Sequence, residues 1–321
     1  MAKLFVEALK TGYETPIREG LKFIGVDGTL KSSDSVAIKP NLTFPVFKPG
    51  VMTNPAAVEA LIRVLKDYTD KITICESDSG GYNKFSMDEV FKSTGLEEIA
   101  KRYGVRTTNM SHSPSRPIIV HSSLRRLSVP LPTLLLDETD LFISMPVPKV
   151  HANTGVSFAV KNQWGVIQEP ALRLKLHPYF KHVIYAVNKA LPRSIAVMDG
   201  RFGLTRNGPM RGDVVDLNWL MVADNLFWCD FAALQLVGIA EHRVGYLWDI
   251  FQREGINRDA PLTVNEGFKT CPRVQFYLKR AMTDYPGLCT FHSRALAYLG
   301  YESLLARPLH RLLYLVREPF Y

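Results

Sequence analysis

The stretch Ser35-Val36-Ala37-Ile38-Lys39-Pro40-Asn41 decides how the chain is read. Its apolar, partly β-branched run makes a short buried strand. The strand must stop at Pro40, which has no N–H to give to a ladder and restricts the residue before it. Lys39 and Asn41 are thereby placed at a strand's carboxyl end. Asn54-Pro55 then supplies an N-cap and a first-turn proline, and Val58, Leu61, Ile62 and Leu65 recur on one helical face. A strand feeding a helix is half of a parallel βαβ unit.

The pattern repeats downstream. Lys71 to Cys75 reads as a strand, followed by the acidic turn Glu76-Ser77-Asp78-Ser79-Gly80-Gly81, where the paired glycines would let backbone amides approach a phosphate. Ser86 and Glu89 have capping-box spacing, with Phe85 and Val90 as a hydrophobic staple, which predicts one helix over Met87 to Tyr103 closed by Gly104. Val105 to Thr108 is a further strand. Two strand–helix pairs in succession predict right-handed crossovers, so the expected fold is α/β with a mainly parallel sheet and flanking helices.

Leu141 to Met145, Ser194 to Met198 and Leu217 to Val222 are apolar runs of the buried-strand kind. Pro178 to Leu191 is helical in pattern. Ser113 to Pro132, with its prolines and serines, reads as a loop, an edge hairpin or a small insertion. The chain after Gly238 is mostly helical in pattern, which predicts an α/β core over residues 1–240 and a helical C-terminal extension, residues 241–321, packed on it.

Bulk properties narrow the function classes. The 321 residues are 46% hydrophobic and 22% charged, enough apolar content for a large core. A net charge of +8 favours anionic partners. The basic residues are scattered and not interleaved with aromatics, so a small anionic ligand is expected rather than nucleic acid. Cys75, Cys229, Cys271 and Cys289 contain no C-x-x-C pair, which removes the local motifs of an iron–sulfur cluster or structural zinc. The apolar run after Lys3 is too short for a signal peptide, and no uncharged run reaches the ~18 residues that span a bilayer. The expected compartment is the cytoplasm.

Chemistry-bearing residues recur at the expected strand ends, where ligands bind in open α/β sheets. Lys39 and Asn41 follow the first strand, Glu76 and Ser77 the second, Lys149 and His151 the run ending at Met145, and Asp199 the run ending at Met198. In Pro146-Val147-Pro148-Lys149-Val150-His151 the prolines stiffen an extended backbone, so Lys149 and His151 share one face. Lys149 would neutralise an anion while His151, titrating near neutrality, moves a proton. Lys161 and Asn162 lie on a short helical pattern that breaks at Gly165, and Lys161 is read first as an anion ligand. Arg201, Arg206 and Arg211 surround Gly208-Pro209, a basic loop suited to folding over an acidic ligand. Asp230 is read as the cap of a following helix over Phe231 to Val237. His177 and His182 are five apart, not the four that pairs helical metal ligands, so no metal is assigned and no cofactor is identified.

These motifs form an ordered series: Lys39-Pro40-Asn41-Leu42, Thr53 with Pro55, Pro148-Lys149-Val150-His151, Lys161-Asn162 with Gly165, Asp199-Gly200, and Gly208-Pro209 with Gly212. Over about residues 35–240 the series resembles the DUF362 family. The resemblance implies an α/β core and grouped motifs but carries no assigned catalytic roles. Many relatives in that family have a ferredoxin-like segment with clustered cysteines. This chain departs from that pattern, so no electron-transfer role is carried over.

The expected function is an enzyme acting on a small anionic metabolite by acid/base chemistry, such as an isomerase, lyase or hydrolase. Lys149 and Lys161 would hold the anion, His151 would act as acid or base, and Glu76 or Asp199 would orient a group or exchange a proton. Lys39, Asn41, Ser77, Asn162 and Gly208 complete the expected binding set. The alternative is a non-catalytic protein that uses the same cleft to bind an anionic ligand or to assist assembly.

Overall fold

The computed structural model describes residues 1–10, 12–79, 85–122, 125–306, 308–309 and 312. Its strands, in chain order, are β1 (Ala2–Ala8), β2 (Val36–Pro40), β3 (Ile72–Glu76), β4 (Arg106–Asn109), β5 (Ser115–His121), β6 (Arg126–Pro132), β7 (Leu141–Met145), β8 (Lys149–His151), β9 (Gly155–Ser157), β10 (Ser194–Thr205), β11 (Asp213–Ala223) and β12 (Leu262–Val264). The main sheet runs β12-β1-β11-β10-β7-β2-β3-β4. From β10 through β7, β2 and β3 to β4 every neighbour is parallel, whereas β11 is antiparallel to both β10 and β1. The fold is α/β, with a mostly parallel central sheet, flanking helices and C-terminal helices.

The apolar runs of β2, β3 and β7 are buried at every position because the sheet is covered on both faces. Alternate residues go to opposite layers. Ile38, Ile74, Ile143 and Val197 join one core with the helices Glu14–Phe23 and Pro55–Leu65. Ala37, Cys75, Phe142 and Met198 join the other, with the helices Phe180–Ala190, Leu226–Leu236 and Gly245–Glu254.

Strand order places the site. The chain steps from β2 outward to β3 and β4, then returns to lay β7 on the other side of β2. That reversal opens a crevice at the carboxyl ends of β2 and β7, the switch point where open α/β sheets bind ligands.

Several local expectations change. The helix expected over Met87 to Tyr103 is two, Met87–Ser93 and Leu96–Tyr103, because Gly95 takes a left-handed φ of 77° and turns the chain between them. Ser113 to Pro132 contains a separate antiparallel hairpin, β5–β6. The run expected to end at Met198 continues to Thr205, paired with β11 past a register shift between Gly200 and Phe202. Asp199 and Gly200 therefore lie inside a strand, and the loop carrying Gly208-Pro209 is the turn of the β10–β11 hairpin. The glycine pair Gly80-Gly81 lies outside the described residues.

The C-terminal segment is tied to the sheet at several points. β12 adds parallel to β1, Phe276 is buried against Gly203, and Arg280 Nε donates to the carbonyl of Ala152 at 2.7 Å. Among the described residues no helix is long and apolar enough to cross a membrane.

Candidate functional site

Lys39 and Glu76 sit at the carboxyl ends of adjacent parallel strands, so both side chains leave the sheet at one edge. Lys39 Nζ lies 2.7 Å from Glu76 Oε2, and the two side chains are only 1% and 6% exposed. Each is further engaged. Lys39 Nζ donates to Asn162 Oδ1 at 3.2 Å, and Glu76 Oε1 accepts the amide of Ser77 at 2.9 Å. Asn162 in turn donates to the carbonyl of Lys39 and to Ser144 Oγ. Gly165 closes over the pair: a Cβ there would stand 2.8 Å from Glu76 Oε1 and 2.9 Å from Lys39 Nζ, so a side chain would displace the ions.

The stiff Pro146-to-Pro148 segment leads into β8, which pairs with β9 so that Lys149 faces Ser157 and His151 faces Gly155. Lys149 and His151 are two residues apart on this strand and so share a face. Lys149 Nζ donates to the carbonyl of Val51 at 2.7 Å, and that carbonyl also accepts Asn41 Nδ2. His151 Nδ1 accepts the amide of Asn153 at 3.1 Å, which fixes the proton of the neutral ring on Nε2. Gly208 lies against the carbonyl of Val150 where no side chain fits, and its own carbonyl accepts the amide of Ala152 at 3.0 Å.

Lys161 and Asn162 ride on the four-residue helix Ala159–Asn162. A helix this short has no stability of its own. Asp230 supplies the anchor: its carboxylate accepts the amides of Ala159 at 2.7 Å and Val160 at 3.1 Å. This corrects the sequence expectation. Asp230 is an interior residue of the helix Leu226–Leu236, whose N-cap is Asn225, and it caps a helix about seventy residues away in sequence.

These elements enclose a cavity of about 150 Å³. Lys39, Asn41, Glu76, Ser77, Lys149, His151, Lys161 and Asn162 all line it, together with Ser157, Trp164, Gly165 and Arg173. Among the described residues of its wall there are four cationic side chains and a single carboxylate. Gly208 lines an adjoining, larger chamber that shares His151 with the first. Asp199 lines neither. It accepts Tyr13 Oη at 3.0 Å and the amides of Asn54 and Arg201, so it braces the Val51-to-Asn54 turn that holds Asn41 and Lys149.

Crowding of like charge shapes the titration. Burial, then the charges of Lys161 and Lys39, bring Lys149 down from its ordinary range to about 7. Burial, then Arg173 and Lys39, bring Lys161 to about 7 as well. Burial with the nearby lysines holds His151 well below its usual value, so it is a neutral imidazole at neutral pH and not the titrating group expected from the sequence. Burial also raises Asp199, against the hydrogen bonds that favour its ionised form.

Arg173 escaped the sequence reading. Its guanidinium reaches over from the helix Pro170–Lys175 to the carbonyls of Ile167 and Asp78, a tertiary contact with no motif to announce it. His177 stacks on Trp164 at 5.9 Å, while His182 points elsewhere on the helix Phe180–Ala190 and lines neither cavity. Among the described residues no three His, Cys, Asp or Glu side chains gather as a metal site.

Comparison with known proteins adds relatives. The chain is 22% identical over 222 residues to a thylakoid-associated protein of Synechocystis sp., covering 66% of each chain. Among solved structures it is similar to a Thermotoga maritima protein (13% identity, TM-score 0.44, 70% of this chain and 59% of that one). It is also similar to the lactate racemase apoprotein of Thermoanaerobacterium thermosaccharolyticum (15% identity, TM-score 0.43, 72% and 56%). The chain thus spans 56–66% of the length of these relatives. The sequence profile of the domain of unknown function DUF362 matches residues 36–235, a span that contains every residue lining the lysine cavity. This chain belongs to the DUF362 family.

Proposed function

We propose that the protein is an enzyme that takes the anionic group of a small metabolite into the lysine-lined cavity and moves a proton on it. The observation that carries this reading is the charge inventory of the wall: among the described residues, Lys39, Lys149, Lys161 and Arg173 face a cavity that holds one carboxylate, already committed to Lys39. An anion entering that space relieves repulsion that the folded chain otherwise sustains. Roles follow from engagement. Lys39 and Lys149 are fixed by protein acceptors and form the binding wall. Lys161 has the face of Phe180, 6.0 Å from its ammonium, as its neighbour, and near neutrality it divides between ammonium and amine. A group poised near the working pH suits proton transfer. His151, neutral, offers a hydrogen bond to the ligand, and Asp199 positions the turn behind it.

The test is solvent exchange. Incubated in D2O with a panel of short hydroxy, keto and amino carboxylates and phosphate esters, the native protein should wash deuterium into one of them, detected by proton NMR. Lys161→Met should abolish the exchange. Exchange that survives in Lys161→Met and in His151→Ala overturns the assignment.

A non-catalytic binding or assembly role is the second reading. It is favoured by the completed hydrogen bonding of Lys39, Glu76 and Asn162, which makes them a rigid cradle. That reading predicts thermal stabilisation by a bound anion with no exchange in any member of the panel.

A further inference from the structure

The lysine cavity does not end at its own wall. His151, Pro209 and Met210 line both it and a second chamber of about 750 Å³. The two differ in chemistry. The small one carries the charged side chains and the amides of Asn41 and Asn162 beside Leu42 and Trp164, and its volume equals that of about five waters at ~30 Å³ each, room for a carboxylate or phosphate and little more. The large one is predominantly apolar: Leu174 and Met210 on the core side face Pro286, Cys289, Leu296 and Leu299 from the C-terminal helices Tyr285–His292 and Arg294–Tyr301.

Those helices are seated on the core beside the charged site. Phe291 is 8% exposed, with its ring 5.0 Å from His177 and 5.3 Å from Phe180, the ring next to Lys161. Yet Leu296 and Leu299 stay 41% and 39% exposed on the chamber wall, apolar surface that a ligand would cover. The size falls in the range of small-molecule sites.

Resting on the reading of the lysine cavity as an anion site, we infer that the ligand is a single-chain amphiphile. Its carboxylate or phosphate head sits among Lys39, Lys149 and Lys161, and its apolar body lies in the chamber between Met210 and Leu299. The C-terminal helices are then the specificity wall of the site, setting how long or bulky a body is accepted.

The experiment is calorimetric titration of the full chain, below the micelle threshold, with two series: n-alkyl carboxylates from acetate to decanoate, and n-alkyl phosphates from methyl to decyl. Each buried methylene should tighten binding about fourfold. The series with the tighter head identifies the acid group. Leu299→Trp, which narrows the chamber between Met210 and the C-terminal helices, should reduce the chain-length gain and leave acetate or methyl phosphate bound as before. Lys161→Met should weaken every member alike.

Affinity that is flat along both series overturns the amphiphile while leaving the small-anion reading standing. A chain-length gain that Leu299→Trp leaves undiminished overturns it also, since the alkyl chain would then bind elsewhere. No binding by any member of either series overturns both readings.

Discussion

Lys39 Nζ and Glu76 Oε2 stand 2.7 Å apart across two adjacent parallel strands, with the backbone of Gly165 laid over them. Glu76 is the only carboxylate among the described residues of a cavity wall that also carries Lys149, Lys161 and Arg173. Removing it leaves Lys39 buried and unpaired. Breaking a buried pair from one side costs about 3–5 kcal/mol. Glu76→Gln should therefore lose stability of that order in urea unfolding, and Lys39→Met combined with Glu76→Gln should recover much of it. A Glu76→Gln protein as stable as the native one would show that the pair does not carry this load.

The lysine cavity should leave a mark on the pH dependence of stability. In the unfolded chain Lys161 keeps its proton until about pH 10.4, whereas in the fold burial and the neighbouring cations lower it to about 7. Between those values the unfolded chain binds more protons, so stability rises with pH. The penalty is full below about pH 7 and is relieved above it. Lys161→Met has no such titration, so the melting temperature of the native protein should gain on that of the variant from about pH 6 to about pH 9. Cys75 and Cys271, whose thiols burial raises to about 12 and about 11, pull the other way at high pH. Both proteins share them, so the difference cancels that pull. Parallel profiles would contradict the buried-amine account.

Asp230 links the core to the site through backbone amides. Its carboxylate meets the first turn of the helix that carries Lys161 and Asn162. Asp230→Ala leaves two buried N–H groups without acceptors, at about 1–3 kcal/mol for each. Chemical denaturation should show that loss, and Asp230→Asn, which keeps one acceptor oxygen, should lose less. If Asp230→Ala matches the native stability, the anchor is supplied by something else.

The parallel half of the fold was legible because β2, β3 and β7 are buried at every position and the elements are bounded by Pro40, Pro55 and Ser86, whose backbone chemistry is local. The grouping of Lys39, Glu76, Lys149, His151 and Lys161 was legible for the same reason: strand ends and one helix converge at one edge of a parallel sheet. What was not legible depends on pairing at long range. β1 finds its partner β11 more than two hundred residues away, and the continuation of β10 past Met198 depends on β11 lying beside it. Asp230 has the sequence look of a local cap and the geometry of a distant one. Arg173 sits in an ordinary helical pattern, and only the approach of the Ile167 and Asp78 carbonyls marks it. The neutrality of His151 likewise comes from burial and neighbours that its own segment does not contain.

An anion entering the cavity as proposed would give its lysines protons, because a bound anion raises amines now held near 7. Calorimetric titration with sulfate and with oxalate, at about pH 8 in two buffers of different ionisation enthalpy, measures both quantities at once. Neither anion titrates in that range. Expected are saturable binding, proton uptake, affinity that falls by up to about tenfold per pH unit for each coupled proton as pH rises above 7, and loss of all three when Lys149→Met is combined with Lys161→Met. Absence of saturable binding by either anion, or binding of equal strength in the double variant, would contradict it.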